Sequence, residues 1–153
     1  MNYQKLISHR GNLLGSNPDL ENSPSAIQQA IKKGFDCEID LWLVEGSLFL
    51  GHDHPENKID INELIEIKDN LWIHCKNLDL LNYLIEKYES EFNYFWHQND
   101  DYTLTSKKFI WTFPNKNITK YSVIVDLEHK SKLQTSVFGI CSDNIHEAKQ
   151  LYY

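Results

Sequence analysis

The segment DCEIDLWLV, residues 36–44, places acidic residues inside what is otherwise the pattern of a buried β-strand. Side chains alternate between the two faces of a strand, so Glu38 and Asp40 point to one side and Cys37 points to the other. Two ionised carboxylates a few ångströms apart repel each other, and burying them without a partner is costly. The fold must therefore bring a cation or positively charged side chains next to this strand.

Strand and helix patterns alternate along the chain, which predicts an α/β fold with a mainly parallel sheet and right-handed crossovers. A small strand, LFLG, is predicted after a turn at 45–47. The main strands are predicted as QKLISH, DCEIDLWLV, LWIHCK, NYFWHQ, KFIWTF, SVIVDLE and VFGICSD. This approaches the eight strands of a TIM barrel, although 153 residues are far fewer than the usual ~250. We therefore predict one domain, residues 1–153, folded as a reduced TIM-like (β/α) barrel with about seven or eight strands and few helices in its second half.

Capping signals mark the helices. Three polar residues suited to the N-cap position precede helical patterns of apolar residues: Ser23, Asp60 and Asn77. Asp60 stands three residues before a glutamate, which is the spacing of a capping box. Gly34 ends the first helix, and a last helix is predicted over residues 144–151.

The composition limits the classes of function. A formal net charge of −7 and a pI near 5.4 argue against general binding to nucleic acid or to an anionic membrane surface. No apolar run approaches the ~20 residues of a membrane helix, so no stable membrane insertion is expected. The N-terminal residues lack the apolar core of a secretory signal, and we expect a cytoplasmic protein that is a monomer or a small homo-oligomer. Three scattered cysteines favour neither a disulfide framework nor a zinc cluster.

Further polar residues follow the predicted strands near their carboxyl ends. His9 and Arg10 follow the first strand, His52 follows LFLG, and His74 and Lys76 end LWIHCK. In a βα barrel the carboxyl ends of the strands carry the active site. We therefore expect these side chains to converge on one pocket with the two carboxylates.

Two interpretations of the carboxylate pair stay open. A hard divalent cation such as Mg²⁺ or Ca²⁺ prefers oxygen ligands and suits two carboxylates on one face. Alternatively, Glu38 and Asp40 pair with lysine or arginine, for which Lys76 is a candidate. Arg10 is the only arginine in the chain, and its planar guanidinium grips phosphate or carboxylate in two places. The alternative for Arg10 is a structural ion pair with Glu21 or Glu38.

Two histidines, a divalent-cation site and two cationic side chains together suit the cleavage of a phosphodiester. The divalent cation and Arg10 or Lys76 would stabilise charge on the phosphoryl oxygens. One histidine would take a proton from the nucleophile, and the other would protonate the leaving alkoxide. The expected partner is a small-molecule phosphodiester substrate.

The order and spacing of four short motifs resemble the glycerophosphodiester phosphodiesterase family, within the phospholipase C-like phosphodiesterase superfamily. The motifs are HRG at 9–11, EN at 21–22, E-x-D at 38–40 and HD at 52–53. The resemblance implies a (β/α)₈ barrel that hydrolyses glycerophosphodiesters to glycerol 3-phosphate and an alcohol with a divalent cation. It implies His9 and His52 as the acid/base pair and Arg10 as a phosphate ligand. It also implies Glu38 and Asp40 as metal ligands.

The resemblance continues with one change in the third main strand. The family carries E-x-K there, with a metal-binding glutamate and a phosphate-binding lysine. In this chain His74 stands in place of the glutamate, while Lys76 fits the lysine. A metal ligand at His74 would shift the preference from Mg²⁺ or Ca²⁺ toward Mn²⁺, Zn²⁺ or another ion that accepts imidazole. Trp111 is similar to a tryptophan that lines the family's glycerol site, and Ser142-Asp143 resembles the end of its final strand.

Two other functions stay open. The short chain and the change at His74 suit a non-catalytic module that binds a phosphate ester. Sphingomyelinase D-like phospholipases share the histidines and the E-x-D motif, and in such enzymes a substrate hydroxyl attacks and a cyclic phosphate forms. The segment 93–106 has no counterpart in the family pattern; it either lines the pocket or plugs the barrel where helices are missing.

Overall fold

The computed structural model describes residues 5–129 and 137–152. The strands are β1 (Lys5–His9), β2 (Asp36–Val44), β3 (Ser47–Leu50), β4 (Asn57–Ile59), β5 (Leu71–Cys75), β6 (Asn93–Phe95), β7 (Tyr102–Leu104), β8 (Ile110–Thr112), β9 (Ser122–Val125) and β10 (Gly139–Ser142). The α-helices are α1 (Pro24–Lys32), α2 (Ile61–Glu66), α3 (Leu78–Tyr88) and α4 (Ile145–Tyr152), with a 3₁₀ turn at Lys68–Asn70. Gln4, where the first strand was predicted to begin, and the ends of the predicted domain lie outside the described ranges.

The strands predicted as the main ones all pair in parallel. Their order across the sheet is β6-β5-β2-β1-β10-β9-β8. The other three strands are antiparallel additions: β3 pairs with the second half of β2, β4 pairs with β3, and β7 pairs with β8. The result is a mixed α/β fold with one curled sheet and few helices. The sequence analysis missed β4 and β7, which are three residues long and therefore too short to show a clear alternating pattern.

The curled sheet brings its two ends together without joining them by a ladder. Among the described residues, β6 pairs with β5 and no ladder connects it to β8. Side chains make the contact instead, because Phe95 of β6 stacks on Trp111 of β8 with ring centroids 4.8 Å apart. The N–H of Ser106, just after β7, also donates to the carbonyl of Tyr94 at 2.8 Å. The sheet therefore encloses an interior.

Alternation along β2 separates the apolar core from the polar interior, as the sequence predicts. Cys37, Ile39 and Leu41 pack on the outer side with residues of α1, α2 and α3. Glu38 and Asp40 consequently face the inside of the curl. Below them lies an inner apolar cluster of Ile7, Trp72, Phe95, Trp111, Val123 and Cys141. Cys37 and Cys75 thus belong to the outer apolar cluster with the helices, whereas Cys141 belongs to the inner one.

The capping predictions are confirmed. The Ser23 hydroxyl accepts the N–H of Ala26 at 3.2 Å, Asp60 forms both bonds of its capping box, and Asn77 accepts the N–H of Leu80 at 3.2 Å. Between β6 and β10 the described residues form no helix, in line with the few helices predicted for the second half. No helix in the described ranges combines the length and the apolar character needed to cross a membrane.

The turn after β1 depends on a glycine. Gly11 has φ +84°, and a Cβ added there would lie 2.8 Å from the Cβ of Ala26 in α1. Gly34, at the end of α1, has a similar φ of +86° but no atom within 4 Å of such a Cβ. A comparison of alanine substitutions at these two positions therefore separates the cost of backbone strain from the cost of close packing.

We expect Gly11→Ala to lower the free energy of unfolding more than Gly34→Ala does. Both variants carry the left-handed backbone cost of about 1–2 kcal/mol, and Gly11→Ala adds an overpacking cost of about 1–3 kcal/mol. Urea unfolding followed by circular dichroism measures both. Equal losses in the two variants would show that Gly11 is not closely packed against α1.

Candidate active site

A cavity of about 480 Å³ opens at the carboxyl ends of the parallel strands. Its size is in the range of small-molecule sites. The cavity is lined by every residue for which the sequence analysis predicted a catalytic, metal-binding or substrate-binding role: His9, Arg10, Glu38, Asp40, His52, His74, Lys76 and Trp111. Strands β1, β2, β5 and β8, together with the loop after β3, bring these side chains to one place.

His9 is held by a carboxylate from the neighbouring strand. β1 and β10 are paired in register, with Ser8 opposite Ser142, so Asp143 follows β10 directly beside His9. The Nδ1 atom of His9 lies 2.7 Å from Oδ1 of Asp143. Asn12 donates to the same oxygen at 2.8 Å and fixes the carboxylate. Sequence analysis placed Asp143 in the final-strand motif but gave it no role, because a contact across 134 positions has no local pattern.

The surroundings of His9 favour its protonated form. Burial alone would lower the pKa of His9, but the hydrogen bond to Asp143 and the charge of Glu38 outweigh it and raise the pKa above its ordinary value. The carboxylate of Glu38 lies 3.8 Å from the other ring nitrogen, Nε2. In the same pair, the bond from His9 lowers the pKa of Asp143 despite the opposing effect of burial. His9 thus lies between two carboxylates, and both favour its protonated form.

His52 lines the same cavity but is more exposed than His9. Its side chain is 40% exposed, and Nδ1 lies 2.8 Å from Oδ1 of Asp53. The preceding residue, Gly51, anchors the loop: its N–H donates to the carbonyl of Asp40 at 3.1 Å, and its carbonyl accepts the indole N–H of Trp42 at 2.6 Å. β2 therefore positions both the carboxylates and the loop that carries His52.

The carboxylate of Asp40 is surrounded by donors. Oδ2 accepts the side-chain amide of Asn22 at 2.9 Å and forms an ion pair with Nε of Arg10 at 3.1 Å. Oδ1 lies 2.9 Å from Nδ1 of His74 and 3.5 Å from Nζ of Lys76. The side chain is only 1% exposed. For Asp40, the structure therefore shows the predicted alternative of pairing with lysine and arginine.

Glu21 and Asn22 of the EN motif hold Arg10 and Asp40 in place. Glu21 accepts Nη1 of Arg10 at 3.0 Å, which is one of the two ion pairs considered for Arg10 from the sequence. Glu21 is itself fixed by Asn12, whose side chain donates to it at 3.1 Å. Asn22 binds Asp40 twice, because its side-chain oxygen also accepts the N–H of Asp40 at 3.0 Å. The two motif residues therefore orient Arg10 and Asp40 respectively.

Glu38 and Asp40 face the same interior, but their pKa values shift in opposite directions. Burial and the neighbouring charge of Asp40 raise the pKa of Glu38. Burial also acts against ionisation of Asp40, but the hydrogen bond and charge of His74, with Arg10 and Lys76, hold its pKa far below its ordinary value. Asp40 is therefore the carboxylate whose ionised form the site favours, and it forms three ion pairs among the described residues, whereas Glu38 forms one.

Three side chains could hold a metal ion. Glu38, Asp40 and His74 each offer one ligand atom, and these atoms lie within 4.8 Å of one another. Two carboxylates and an imidazole fit a divalent cation that accepts both oxygen and nitrogen. Nε2 of His74 lies 3.2 Å from the carbonyl of His97, while Nδ1 faces Asp40. Metal coordination through either nitrogen would replace one of these contacts.

The segment 93–106 lines the pocket rather than plugging the sheet. Trp96, His97, Asp100 and Thr103 all face the cavity. The ring of His97 stacks on His74 with centroids 4.5 Å apart, and burial lowers the pKa of His97. The sequence left these two alternatives open because β7, which is three residues long, was not predicted.

No protein-family model, curated protein or solved structure gives a significant match to this chain. The resemblance seen in the motifs therefore stays a hypothesis. The function has to be inferred from the geometry of the cavity.

We expect the pKa of His9 to exceed its ordinary value of 6.5, and Asp143→Asn to lower it, because burial then acts without the carboxylate. Since the folded-state pKa is raised, His9 adds stability below about pH 6.5, and this is lost as the pH rises through the folded-state pKa. Proton NMR titration of the histidine Cε1–H signals measures the shift. Asp53→Asn is the matched control and should leave the His9 titration unchanged.

Proposed function

We propose that this protein is a divalent-cation-dependent phosphodiesterase. The substrate would be a glycerophosphodiester, cleaved to glycerol 3-phosphate and an alcohol in a reduced TIM-like barrel of the glycerophosphodiester phosphodiesterase type. The observation that carries the proposal is a pair of histidines, each bonded to its own carboxylate, in one cavity with Arg10 and Lys76. The cavity volume of about 480 Å³ suits a small phosphodiester.

The two histidines differ in a way that assigns their roles. His9 is largely buried between Asp143 and Glu38, and its raised pKa keeps a proton available for the leaving alkoxide. His52 is more exposed, and its bond to Asp53 orients the ring so that the other nitrogen can accept a proton from water. His9 is therefore the general acid in the proposal, and His52 is the general base.

The positive groups of the cavity would bind the phosphoryl oxygens. Arg10 offers a planar guanidinium, and Lys76 offers an ammonium group from the end of β5. Glu38, Asp40 and His74 would hold the divalent cation, which when bound supplies further positive charge to the phosphoryl oxygens. Trp111, packed against Phe95 in the cavity wall, would contact the glycerol part of the substrate.

The test is turnover of glycerophosphocholine by the purified protein with added Mg²⁺, Ca²⁺ or Mn²⁺. We expect His9→Ala and His52→Ala each to reduce kcat by roughly 10²–10⁴-fold, the usual contribution of a positioned acid or base. His54→Ala is the control, because His54 is 72% exposed, pairs with Glu56, and lies two positions after His52. It should retain the wild-type rate.

The product decides between the remaining functions. Phosphorus NMR should show glycerol 3-phosphate without a cyclic intermediate product. A cyclic phosphate would indicate attack by a substrate hydroxyl, and phosphate-ester binding without turnover under every metal would indicate a binding module. Unchanged rates in both histidine variants would contradict the assigned roles.

A further inference from the structure

Asp40 forms ion pairs with the same two positively charged side chains, Arg10 and Lys76, that the proposed reaction needs at the phosphate. Arg10 lies 3.1 Å from one carboxylate oxygen, and Lys76 lies 3.5 Å from the other. A phosphate entering the cavity must compete with this carboxylate for both groups. Their availability therefore depends on what else Asp40 binds.

Both oxygens of the carboxylate are already in contact with other side chains. Asn22 donates a hydrogen bond to Oδ2, Nδ1 of His74 lies 2.9 Å from Oδ1, and Arg10 and Lys76 add ion pairs, although Nε of Arg10 makes no hydrogen bond. A divalent cation on Asp40 would compete with these groups for the carboxylate. Asn22 is uncharged and holds Asp40 at two points, whereas the charged groups would be repelled by the incoming ion.

We propose that Asp40 is an exchangeable counter-ion: a divalent cation bound to it releases Arg10 and Lys76 to bind the phosphate. This inference rests on the proposed function, because it concerns the order of binding at the same site. It makes the divalent cation and the phosphate cooperative, with Arg10 and Lys76 as the groups that change partner.

Arg10 would stay in the cavity after release. Nη1 remains bonded to Glu21 at 3.0 Å, and Asn12 fixes Glu21 in turn. The Arg10 N–H donates to the backbone carbonyl of Glu38 at 2.9 Å, which anchors the main chain. Nε makes no hydrogen bond and is held near Asp40 only by the ion pair, so the loss of that pair lets Nε turn to a phosphate while Nη1 stays bonded to Glu21.

The single arginine of the chain allows a direct measurement. In a ¹⁵N-labelled sample, the Nε–Hε group of Arg10 gives one arginine signal, and Mg²⁺ or Ca²⁺ can be added because both are diamagnetic. We expect the added cation to shift this signal as Nε leaves Asp40, and inorganic phosphate to shift it again. A signal that stays in place while the cation saturates the protein overturns the proposal, as does the absence of cation binding.

A second measurement uses the metal-free protein and inorganic phosphate as the probe. Asp40→Asn should bind phosphate roughly tenfold more tightly than the wild type, the size of effect that one nearby charge commonly has on an ionic equilibrium. Asp143→Asn is the matched control, because Asp143 also lies in the site but bonds to His9 and Asn12. Calorimetric titration gives the affinities, and circular dichroism checks that each variant is folded.

The two variants separate the outcomes. Tighter binding in Asp40→Asn alone supports competition for Arg10 and Lys76. Equal gains in both variants would show a general effect of charge and overturn the proposal, as would unchanged or weaker binding in folded Asp40→Asn. Both measurements report binding and do not depend on turnover. A failure of the proposed phosphodiesterase activity would therefore appear only in the activity assay.

Discussion

The buried anion at Asp40 is the interaction on which the rest of the site depends. An ionised carboxylate with a side chain 1% exposed is costly unless partners replace its water. Those partners come from the turn after β1, the loop before α1 and the end of β5. Folding around this one charge therefore brings Arg10, Asn22, His74 and Lys76 together. The need to stabilise the buried charge of one strand residue thus explains why several positively charged groups meet at this site.

The two carboxylates of β2 show that different surroundings give chemically similar groups different properties. Glu38 and Asp40 lie on the same face, yet the raised pKa of one and the lowered pKa of the other set them apart. Asp40 pairs with Arg10 and Lys76, whereas Glu38 lies near His9 and helps to raise the pKa of that ring. Paired groups whose pKa values are pushed in opposite directions are typical of catalytic sites.

Sequence analysis found the features that follow from local periodicity. The alternation in β2, the seven parallel strands and the three helix caps all have short-range signals, and the polar residues at strand ends meet because the strands are parallel. The choice between metal and lysine or arginine for Asp40 could not be made, since it depends on side chains far apart in the chain. The same holds for Asp143, and for the cavity wall formed after β6, where three-residue strands carry little pattern.

The distribution of helices explains how a chain of this length can still support such a site. α1 and α3 pack against β2, the strand that carries both carboxylates, and α4 packs against β1 and β10, which position His9 and Asp143. The described residues between β6 and β10 form no helix, and there the cavity wall includes the aromatic rings of Trp96, Trp111 and Phe113. An apolar wall tolerates small displacements, whereas hydrogen bonds among charged groups are lost within about an ångström. The helices thus lie behind the strands whose side chains need fixed positions.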